Sequence, residues 1–351
     1  MRIAQVAPLY EAVPPKLYGG TERVIFWLTE ELVKQGHDVT LFASGDSTTS
    51  AKLEPFWPKA LRLDGSVRDP LALQMSMIEH VFQRRTEFDL VHFHLDYFPF
   101  SLFARQSTPW LTTLHGRLDL PELQPIFTTF PSMPLISISD MQRRPMPHAS
   151  WIRTIQHGLP ADLLEPKPVK PSYLAFLGRV APEKRLDRAI AISDRCGIPL
   201  KVAAKIDRAD RAYFETEIQP LFAHPNVEYI GEISDQQKSE FLSGAKALLM
   251  PIDWPEPFGL VMIEAMACGT PVIAYNRGSV PEIIEDGLTG FIVEDETSAI
   301  AAVNLLPQLS REKIRRRFEE RFTAHRMAKD YVEVYRSLNK NAQTRPRLVS
   351  S

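Results

Sequence analysis

Two carboxylates stand eight positions apart in the second half of the sequence, at Glu256 and Glu264, and a Pro-Phe-Gly turn follows the first. An apolar run at 247–251 precedes them and a helix-compatible segment at 261–267 follows, which predicts a strand, a tight turn and a helix. Ligands of open α/β sheets bind beyond the carboxyl ends of strands, and a helix that begins there offers N–H groups to phosphate. Such donors, with carboxylates for hydroxyl groups, suit a sugar nucleotide. The alternative is a pair of solvated charges around an ordinary turn.

A second segment with suitable chemistry, at 178–184, reads Gly-Arg-Val-Ala-Pro-Glu-Lys and follows the first predicted strand of the second half. The first strand-to-helix turn is where doubly wound folds bind phosphates. Gly178 would permit close approach of the backbone, and Arg179 and Lys184 would bring two positive charges to a diphosphate. Because negative charge grows on a diphosphate as it leaves a sugar, fixed cations there would stabilise the transition state.

Both segments resemble signatures of one family. Residues 256–274, Glu-Pro-Phe-Gly-Leu-Val-Met-Ile-Glu-Ala-Met-Ala-Cys-Gly-Thr-Pro-Val-Ile-Ala, closely resemble the donor-site signature of the retaining glycosyltransferases of family 4, which have the GT-B fold. The pattern Gly-Arg-x-x-x-Glu-Lys at 178–184 is similar to the second signature of that family. Arg185 departs from it, because the family often has glycine there, and this departure leaves the local loop shape open.

The resemblance implies a role for each matching residue. Arg179 and Lys184 would bind the diphosphate of a nucleotide sugar. Glu256 would accept hydrogen bonds from sugar hydroxyls, and Glu264 would hold the ribose. The other donor-binding residues that it implies are Gly20, Gly178, Ile233, Phe258, Gly259 and Leu260.

In the first half, glycines and histidines stand at predicted strand ends. Gly19 and Gly20 precede a predicted helix, and adjacent glycines let a chain pass close to a phosphate or sugar; a plain flexible loop is the alternative. His92 and His94 alternate at the end of one predicted strand and His115 ends another, so we expect the three to lie close together. A His-x-His pair can indicate a metal, but no further ligand occurs at a convincing spacing, and zinc is not predicted.

In similar enzymes the histidine at the position of His115 lies beside the reacting anomeric carbon. The catalytic residues that the resemblance implies are His115, Arg179, Lys184 and Glu256. The acceptor-side residues that it implies are Gly19, Glu22, His94 and His115. His157 precedes Gly158 where the family more often has asparagine, which leaves its role open.

Strand-like and helix-length segments alternate twice along the chain, which predicts parallel βαβ units. Three prolines between 166 and 171 interrupt the alternation and suit an extended linker. We therefore predict an α/β protein of two doubly wound, Rossmann-like domains, 1–165 and 170–324, that face each other across a cleft as in GT-B. By resemblance, an amphipathic helix at about 325–340 returns to the first domain.

Composition excludes several other classes of protein. A chain of 351 residues fits two domains of roughly 150 residues, and its net charge of −2 gives no reason to expect a nucleic-acid partner. Cys196 and Cys268 are too few for a disulfide scaffold. No secretory signal or membrane-spanning segment is predicted, which indicates a cytoplasmic protein. The basic stretch 311–317 is interpreted as a solvated helix face; contact with anionic lipid is the alternative, so peripheral membrane contact stays open.

Together with the candidate site residues, the resemblance implies a glycosyltransferase that moves a hexose from a nucleoside diphosphate sugar to an acceptor hydroxyl with retention of configuration. No cofactor is predicted, and the absence of an Asp-x-Asp pair favours a metal-independent mechanism. The default donors are a UDP-hexose or GDP-mannose, taken from the family; the acceptor is a glycan, a lipid-linked sugar or a small molecule. The alternatives are a sugar-nucleotide epimerase or phosphorylase of the same fold, and a nucleotide-sugar-binding protein without catalysis.

Overall fold

The computed structural model describes residues 1–16 and 19–344, with the backbone only for 343 and 344. The chain divides into two compact units, Met1–Gly158 together with the chain from Ala324 onward, and Leu159–Thr323. The proline-rich segment lies in the second unit. There the N–H groups of Glu165 and Lys167 donate to the Ser239 and Ser243 hydroxyls at 3.2 and 2.9 Å.

The first unit is built on a parallel sheet with the strand order β3-β2-β1-β4-β5-β6-β7. Its strands are β1 (Arg2–Val6), β2 (Asp38–Ser44), β3 (Lys52–Trp57), β4 (Leu90–Phe93), β5 (Trp110–Thr113), β6 (Leu135–Ser137) and β7 (Trp151–Thr154). Its helices are α1 (Gly20–Lys34), α2 (Pro70–Arg84), α3 (Phe100–Phe103) and α4 (Leu123–Thr129). The central strands are buried on both faces, as the apolar runs of a parallel sheet require.

The second unit is built on a second parallel sheet with the order β10-β9-β8-β11-β12-β13. Its strands are β8 (Tyr173–Arg179), β9 (Leu200–Lys205), β10 (Val227–Gly231), β11 (Ala245–Met250), β12 (Val272–Tyr275) and β13 (Gly290–Val293). Its helices are α5 (Leu186–Cys196), α6 (Arg211–Tyr213), α7 (Asp235–Ser243), α8 (Leu260–Ala267), α9 (Val280–Ile283), α10 (Glu296–Leu305) and α11 (Arg311–Arg321). After α6 the chain continues as a π-helical turn, Phe214–Ile218, and a 3-10 turn, Gln219–Ala223.

The last helix, α12 (Ala324–Thr344), belongs to the first unit. Its two tyrosines, Tyr331 and Tyr335, are fully buried. Tyr335 Oη lies 2.7 Å from His92 Nδ1 on β4, and Tyr331 Oη lies 2.9 Å from Thr113 Oγ1 on β5. The C-terminal helix therefore covers the middle of the first sheet and supplies polar partners to its central strands.

In each sheet the strand order reverses once, between β1 and β4 and between β8 and β11. The two parallel sheets with crossover helices confirm the predicted α/β class with two doubly wound, Rossmann-like units. The reversals matter for function because ligands of open α/β sheets bind beyond the carboxyl ends of the strands at such a point.

The basic stretch 311–317 at the start of α11 is a solvated face only in part: Lys313 and Arg316 are exposed, whereas Arg311 and Arg315 bind the protein. Arg311 donates to the carbonyls of Ser243 and Ala245, each at 2.9 Å. Arg315 donates to three further carbonyls, those of Ala161, Leu164 and Ala267. These arginines bind backbone carbonyls inside the second unit, which a sequence pattern of charge alone does not reveal.

Within residues 1–16 and 19–344, no helix has the length and apolar character needed to cross a membrane.

Candidate functional site

Two loops meet at the strand reversal of the second unit. The loop after β8 contains the 3-10 turn Pro182–Lys184, and the loop after β11 leads through Gly259 into α8. A backbone hydrogen bond of 2.9 Å from Asp253 N to Glu183 O joins the two loops. The segments that the sequence singled out for phosphate and for sugar hydroxyls are therefore neighbours in space.

Lys184 and Glu256, one on each loop, form an ion pair. Trp254 Nε1 donates to the same carboxylate at 3.0 Å, and Lys184 Nζ lies 4.7 Å from the centroid of the Trp254 ring. The exposed fraction is 22% for the Lys184 side chain and 11% for that of Glu256, so water screens the pair only weakly. Because an ammonium group has three N–H donors, Lys184 can hold Glu256 and still donate to a further anion.

Hydrogen bonds and a buried ring within the second unit hold the turn that contains Glu256. Ser279 N donates to Glu256 O at 2.9 Å, and Ser279 Oγ donates to Phe258 O at 2.8 Å. The ring of Phe258 is buried, with its centroid 6.4 Å from that of Phe322. The Phe258 side chain thus anchors the turn in the core, and what it can offer a ligand is its backbone.

Helix α8 begins directly after this turn. Gly259, its N-cap, has a φ of +79°, and a Cβ there would lie 2.8 Å from Met262 Cε and 3.3 Å from Glu256 Cγ. No described side chain caps this end, and Leu260, the first helical residue, is half-buried. The first N–H groups and the positive end of the helix dipole are consequently available to an anion.

The loop after β8 combines an open backbone with a paired arginine. Gly178 has a φ of +154°, and no heavy atom comes within 4 Å of where a Cβ would stand. Arg179 donates to Glu183 at 2.7 Å and lies 3.2 Å from Asp210 Oδ2. The charge of Arg179 is therefore balanced by two carboxylates in this structure, and a phosphate would have to share its five N–H donors.

Arg185 resolves the loop shape that its departure from the family left open. Its backbone is left-handed, with φ and ψ both at 52°, which is the conformation that glycine adopts most readily. The guanidinium is held by Asp187 at 2.7 Å and by Asp253 at 3.2 Å. The loop thus has a glycine-like shape, and two ion pairs offset part of the backbone strain.

Glu264 lies on α8 and is paired with a lysine from α7. Lys238 Nζ donates to Glu264 Oε1 at 2.7 Å and also contacts Asp235 at 3.1 Å. Both members are buried, with 4% of Glu264 and 9% of Lys238 exposed. Ile233 is half-buried on the loop that leads from β10 into α7. Lys238 was missed from sequence because nothing in its surroundings shows that it reaches a residue 26 positions away.

The first unit brings the predicted histidines together at its own strand reversal. His92 lies on β4, His94 follows it, and His115 follows β5. The ring centroids are 4.1 Å apart for His92 and His94, and 5.1 Å apart for His94 and His115. His157 stacks on His115 with its centroid at 5.3 Å. In the described part of the chain, no group of three His, Cys, Asp or Glu side chains is arranged to hold a metal ion.

Burial keeps these histidines neutral. Desolvation lowers the pKa of His115 to about 3. It also lowers the pKa of His92, His94 and His157 well below the usual value, and their mutual repulsion adds to the effect. A neutral imidazole has one N–H donor and one bare nitrogen, so each ring can both donate and accept one hydrogen bond.

The glycine pair and the acidic residue of the first unit lie at the start of α1. Gly20 is the first helical residue and Gly19 is its N-cap. Glu22 is buried, and its Oε2 would be 3.2 Å from a Cβ at Gly19. The pKa of Glu22 is raised to about 7, mainly by desolvation and in smaller part by the nearby carboxylate of Glu11. A carboxyl group of this kind can take up or release a proton near neutral pH.

Gln142 fixes the backbone around His115 and was not found from sequence. Its Nε2 donates to Leu114 O and to Gly116 O, both at 2.8 Å, on either side of the histidine. Its Oε1 accepts from Ile138 N at 2.9 Å. A buried carboxamide of this kind carries no sequence signal, because its partners are backbone groups of other segments.

Comparison with known proteins gives two matching families along the chain. The family described as "Glycosyltransferase Family 4" matches residues 18–196. The family described as "Glycosyl transferases group 1" matches residues 165–325. The two matches together cover both units and both segments of the candidate donor site.

Individual relatives extend over nearly the whole chain. The phosphatidyl-myo-inositol mannosyltransferase of Mycobacterium leprae is 26% identical over 349 residues, which cover 91% of this chain and 90% of that protein. Among solved structures, AviGT4, a glycosyltransferase involved in avilamycin A biosynthesis, has a TM-score of 0.75 and 24% identity over 97% of this chain and 98% of its own. The Anabaena protein HepE, in complex with UDP and glucose, has a TM-score of 0.73 and 18% identity over 96% of this chain and 100% of its own. The structural likeness shows the fold.

Proposed function

This chain belongs to glycosyltransferase family 4, and from that premise we propose that it transfers a hexose from a nucleoside diphosphate sugar to an acceptor hydroxyl with retention of anomeric configuration. The observation that carries this proposal is the Lys184–Glu256 ion pair at the strand reversal of the second unit, beside the uncapped start of α8. A cation, a carboxylate and free helix N–H groups in one place match a diphosphate joined to a sugar.

The donor is proposed to bind to the second unit. Lys184 and Arg179 bind the diphosphate, and the open backbone at Gly178 lets it approach closely. Glu256 accepts hydrogen bonds from sugar hydroxyls, and Glu264 holds the ribose through the oxygen that Lys238 does not occupy. The backbone of Phe258, Gly259 and Leu260 donates to the phosphate or sugar, and Ile233 completes the set in this unit. Gly20, at the start of α1 in the first unit, is proposed as a donor-binding residue on the resemblance alone.

The first unit is proposed to bind the acceptor through Gly19, Glu22 and His115. His94, also predicted on the acceptor side, supports His115 from behind, because its two ring nitrogens lie 2.8 Å from Gln5 Oε1 and 2.9 Å from His115 Nε2. In the reaction, the bond between the anomeric carbon and the β-phosphate oxygen breaks while the acceptor oxygen bonds to the same face of that carbon. The acceptor proton passes to an oxygen of the leaving diphosphate, so no side-chain nucleophile is needed. Lys184, Arg179 and the start of α8 stabilise the charge that grows on the leaving group, which is the work that a metal does in other enzymes.

The choice of donor rests on relatives. A mannosyltransferase is among the relatives of this chain, and a protein with the same fold binds UDP and glucose. We therefore keep GDP-mannose and a UDP-hexose as the proposed donors. Because the relative from M. leprae is named for phosphatidyl-myo-inositol, a lipid-linked hydroxyl is one proposed acceptor class, and glycans and small molecules are the others.

A thermal-shift panel tests the donor site first. UDP, GDP, ADP, UDP-glucose and GDP-mannose are added to the purified protein, and a ligand present at 100 times its Kd should stabilise the fold by about 2.7 kcal/mol. Release of free sugar or transfer of it to an acceptor then separates an enzyme from a protein that only binds. A sugar phosphate formed with added inorganic phosphate would indicate a phosphorylase, and an isomerised nucleotide sugar would indicate an epimerase. No shift with any nucleotide would contradict the proposal.

A further inference from the structure

A chain of buried hydrogen bonds connects α12 to His115 through Gln5. Gln5, on β1, stands opposite His92 in the parallel register of β1 and β4. Its Nε2 donates to Tyr335 Oη at 3.2 Å and lies 3.4 Å from His92 Nδ1. Its Oε1 lies 2.8 Å from His94 Nε2, and His94 Nδ1 lies 2.9 Å from His115 Nε2.

The chemistry of these groups determines which atom donates in each hydrogen bond of this series. The Oε1 atom of a carboxamide only accepts hydrogen bonds, so His94 Nε2 must carry a hydrogen. His94 is buried, desolvation lowers its pKa well below the usual value and keeps it neutral, and its Nδ1 is therefore bare. A bare Nδ1 at 2.9 Å from His115 Nε2 requires the hydrogen of that bond to come from His115.

It follows that His115 carries its hydrogen on Nε2 and has a bare Nδ1. The Nδ1 atom is buried and has no hydrogen-bond partner among the described residues. A buried acceptor without a partner is uncommon in proteins and calls for an explanation such as a bound ligand. The carboxamide of Gln142, which binds the carbonyls on both sides of His115, holds the backbone from which this ring projects.

We propose that Gln5 and His94 are positioning residues that hold His115 as the Nε2–H tautomer, so that its Nδ1 accepts a hydrogen bond from a substrate hydroxyl. That the donor group is a sugar or acceptor hydroxyl rests on the proposed function; the tautomer itself does not. Gln5 Oε1 accepts the hydrogen of His94 Nε2, which leaves His94 Nδ1 to accept the hydrogen of His115 Nε2. Tyr335 of α12 accepts a hydrogen bond from Gln5 Nε2 and so fixes the orientation of the amide.

The tautomer can be read directly from long-range 1H–15N correlation spectra of the full chain labelled with 15N-histidine. His115→Gln assigns the His115 signals. The wild-type protein should show His115 as a neutral ring protonated at Nε2. A ring protonated at Nδ1, or at both nitrogens, would overturn the proposal whether or not the protein transfers sugar.

Two variants of Gln5 test what sets the tautomer. Gln5→Met removes the acceptor of the His94 hydrogen, so the His115 ring should become a mixture of tautomers. The kcat for hydrolysis of UDP-glucose or GDP-mannose should then fall at least tenfold, as expected when a catalytic histidine loses its tautomer. Gln5→Glu keeps an acceptor oxygen and should restore the Nε2–H form and most of kcat. Gln74→Met is the matched control, since Gln74 is equally buried in the same unit and neither of its amide atoms has a partner among the described residues.

The outcomes separate this proposal from the proposed function. A His115 ring that stays wholly Nε2–H in Gln5→Met would overturn the role of Gln5 even in an active enzyme. A protein that hydrolyses neither donor but shows the predicted tautomers would contradict the proposed function and leave the assignment of Gln5 and His94 as positioning residues for His115 intact.

Discussion

Lys184 is the residue at which the proposed donor chemistry is most directly tested. Its ammonium group is one fixed cation beside the position proposed for the leaving diphosphate, and removal of one such group raises the barrier by ~2.7–4 kcal/mol. Lys184→Ala should therefore lower kcat by about 100- to 1,000-fold, measured as donor hydrolysis or transfer. Lys201→Ala is the matched control, because Lys201 lies in the same unit, forms its own ion pair with Glu228 at 3.1 Å, and stands on β9 outside the site. Equal activities in the two variants would contradict the phosphate assignment.

The roles of Glu264 and Lys238 in stability and in donor binding can be distinguished by comparing two variants. Glu264→Ala and Lys238→Met both break a buried ion pair, and each should lower the free energy of unfolding by about 3–5 kcal/mol. Only Glu264→Ala also removes the carboxylate proposed to hold the ribose. Because a hydrogen bond to a charged group contributes about 1.5–3 kcal/mol, the donor KM should rise about tenfold or more in Glu264→Ala relative to Lys238→Met. A rise confined to the acceptor KM would show that the nucleotide is placed wrongly.

At the scale of residues, the sequence indicated which side chains could belong to the site but not which side chains they contact. Arg179, Lys184 and Glu256 could be found because they lie at the end of an apolar strand or in the loop that follows one. Glu264 could be found because it lies in the helix-compatible segment after the Pro-Phe-Gly turn. Their partners could not be found, since Lys238 reaches Glu264 across 26 positions and Gln142 reaches Gly116 across the same distance in sequence. Such pairs depend on which strands are neighbours, and strand order is not encoded in local spacing.

At the scale of elements, the loop between β8 and α5 gives a test of backbone strain. A left-handed backbone costs a residue other than glycine about 1–2 kcal/mol, whereas partly exposed ion pairs such as those of Arg185 contribute about 0–1 kcal/mol. Arg185→Gly should therefore leave the free energy of unfolding unchanged or raise it slightly. Arg185→Val should lower it by about 2 kcal/mol, because a β-branched residue fits this conformation poorly.

Urea unfolding with a probe in the second unit measures both variants, and donor binding by thermal shift shows whether the loop keeps its shape. A loss of more than about 1 kcal/mol in Arg185→Gly would mean that the ion pairs with Asp187 and Asp253, rather than the backbone conformation, hold this loop.

Burial decides how clearly a strand shows in the sequence. The apolar run 247–251 predicted β11 (Ala245–Met250), in which every residue except Lys246 is buried. β3 and β7 are at the two edges of the first sheet, and β13 is at one edge of the second. An edge strand is half-exposed, and β3 even contains Pro55, so the apolar pattern that identifies a buried strand is absent there.

At the scale of the whole molecule, four buried histidines are confined to one of the two units. His92, His94, His115 and His157 all lie in the first unit, whereas the second unit contains His224 alone. The ordinary pKa of histidine is about 6.5, and burial lowers it in all four. Below pH 6.5 the unfolded chain binds protons that the folded chain does not, so their contribution to stability is complete above that pH and is lost as the pH falls.

Because the four buried histidines lower the stability of the first unit at acid pH, we expect acid to unfold the first unit before the second. Each such histidine removes about 1.4 kcal/mol per pH unit below 6.5, so four remove about 5.6 kcal/mol per pH unit. Burial raises the pKa of Glu22 to about 7 and that of Asp96 to about 6 in the same unit, so the folded chain binds two protons that the unfolded chain does not and offsets about half of this loss. The remaining loss of about 3 kcal/mol per pH unit is still a large part of the stability of a domain. Hydrogen exchange followed by peptide-resolved mass spectrometry at pH 7 and 5.5 reports each unit separately. His157→Asn should reduce the pH dependence of the first unit by about 1.4 kcal/mol per pH unit, roughly half of the net effect, and exposed His148→Gln should leave it unchanged. Equal loss of protection in both units, or no effect of His157→Asn, would show that these histidines become protonated within the folded protein.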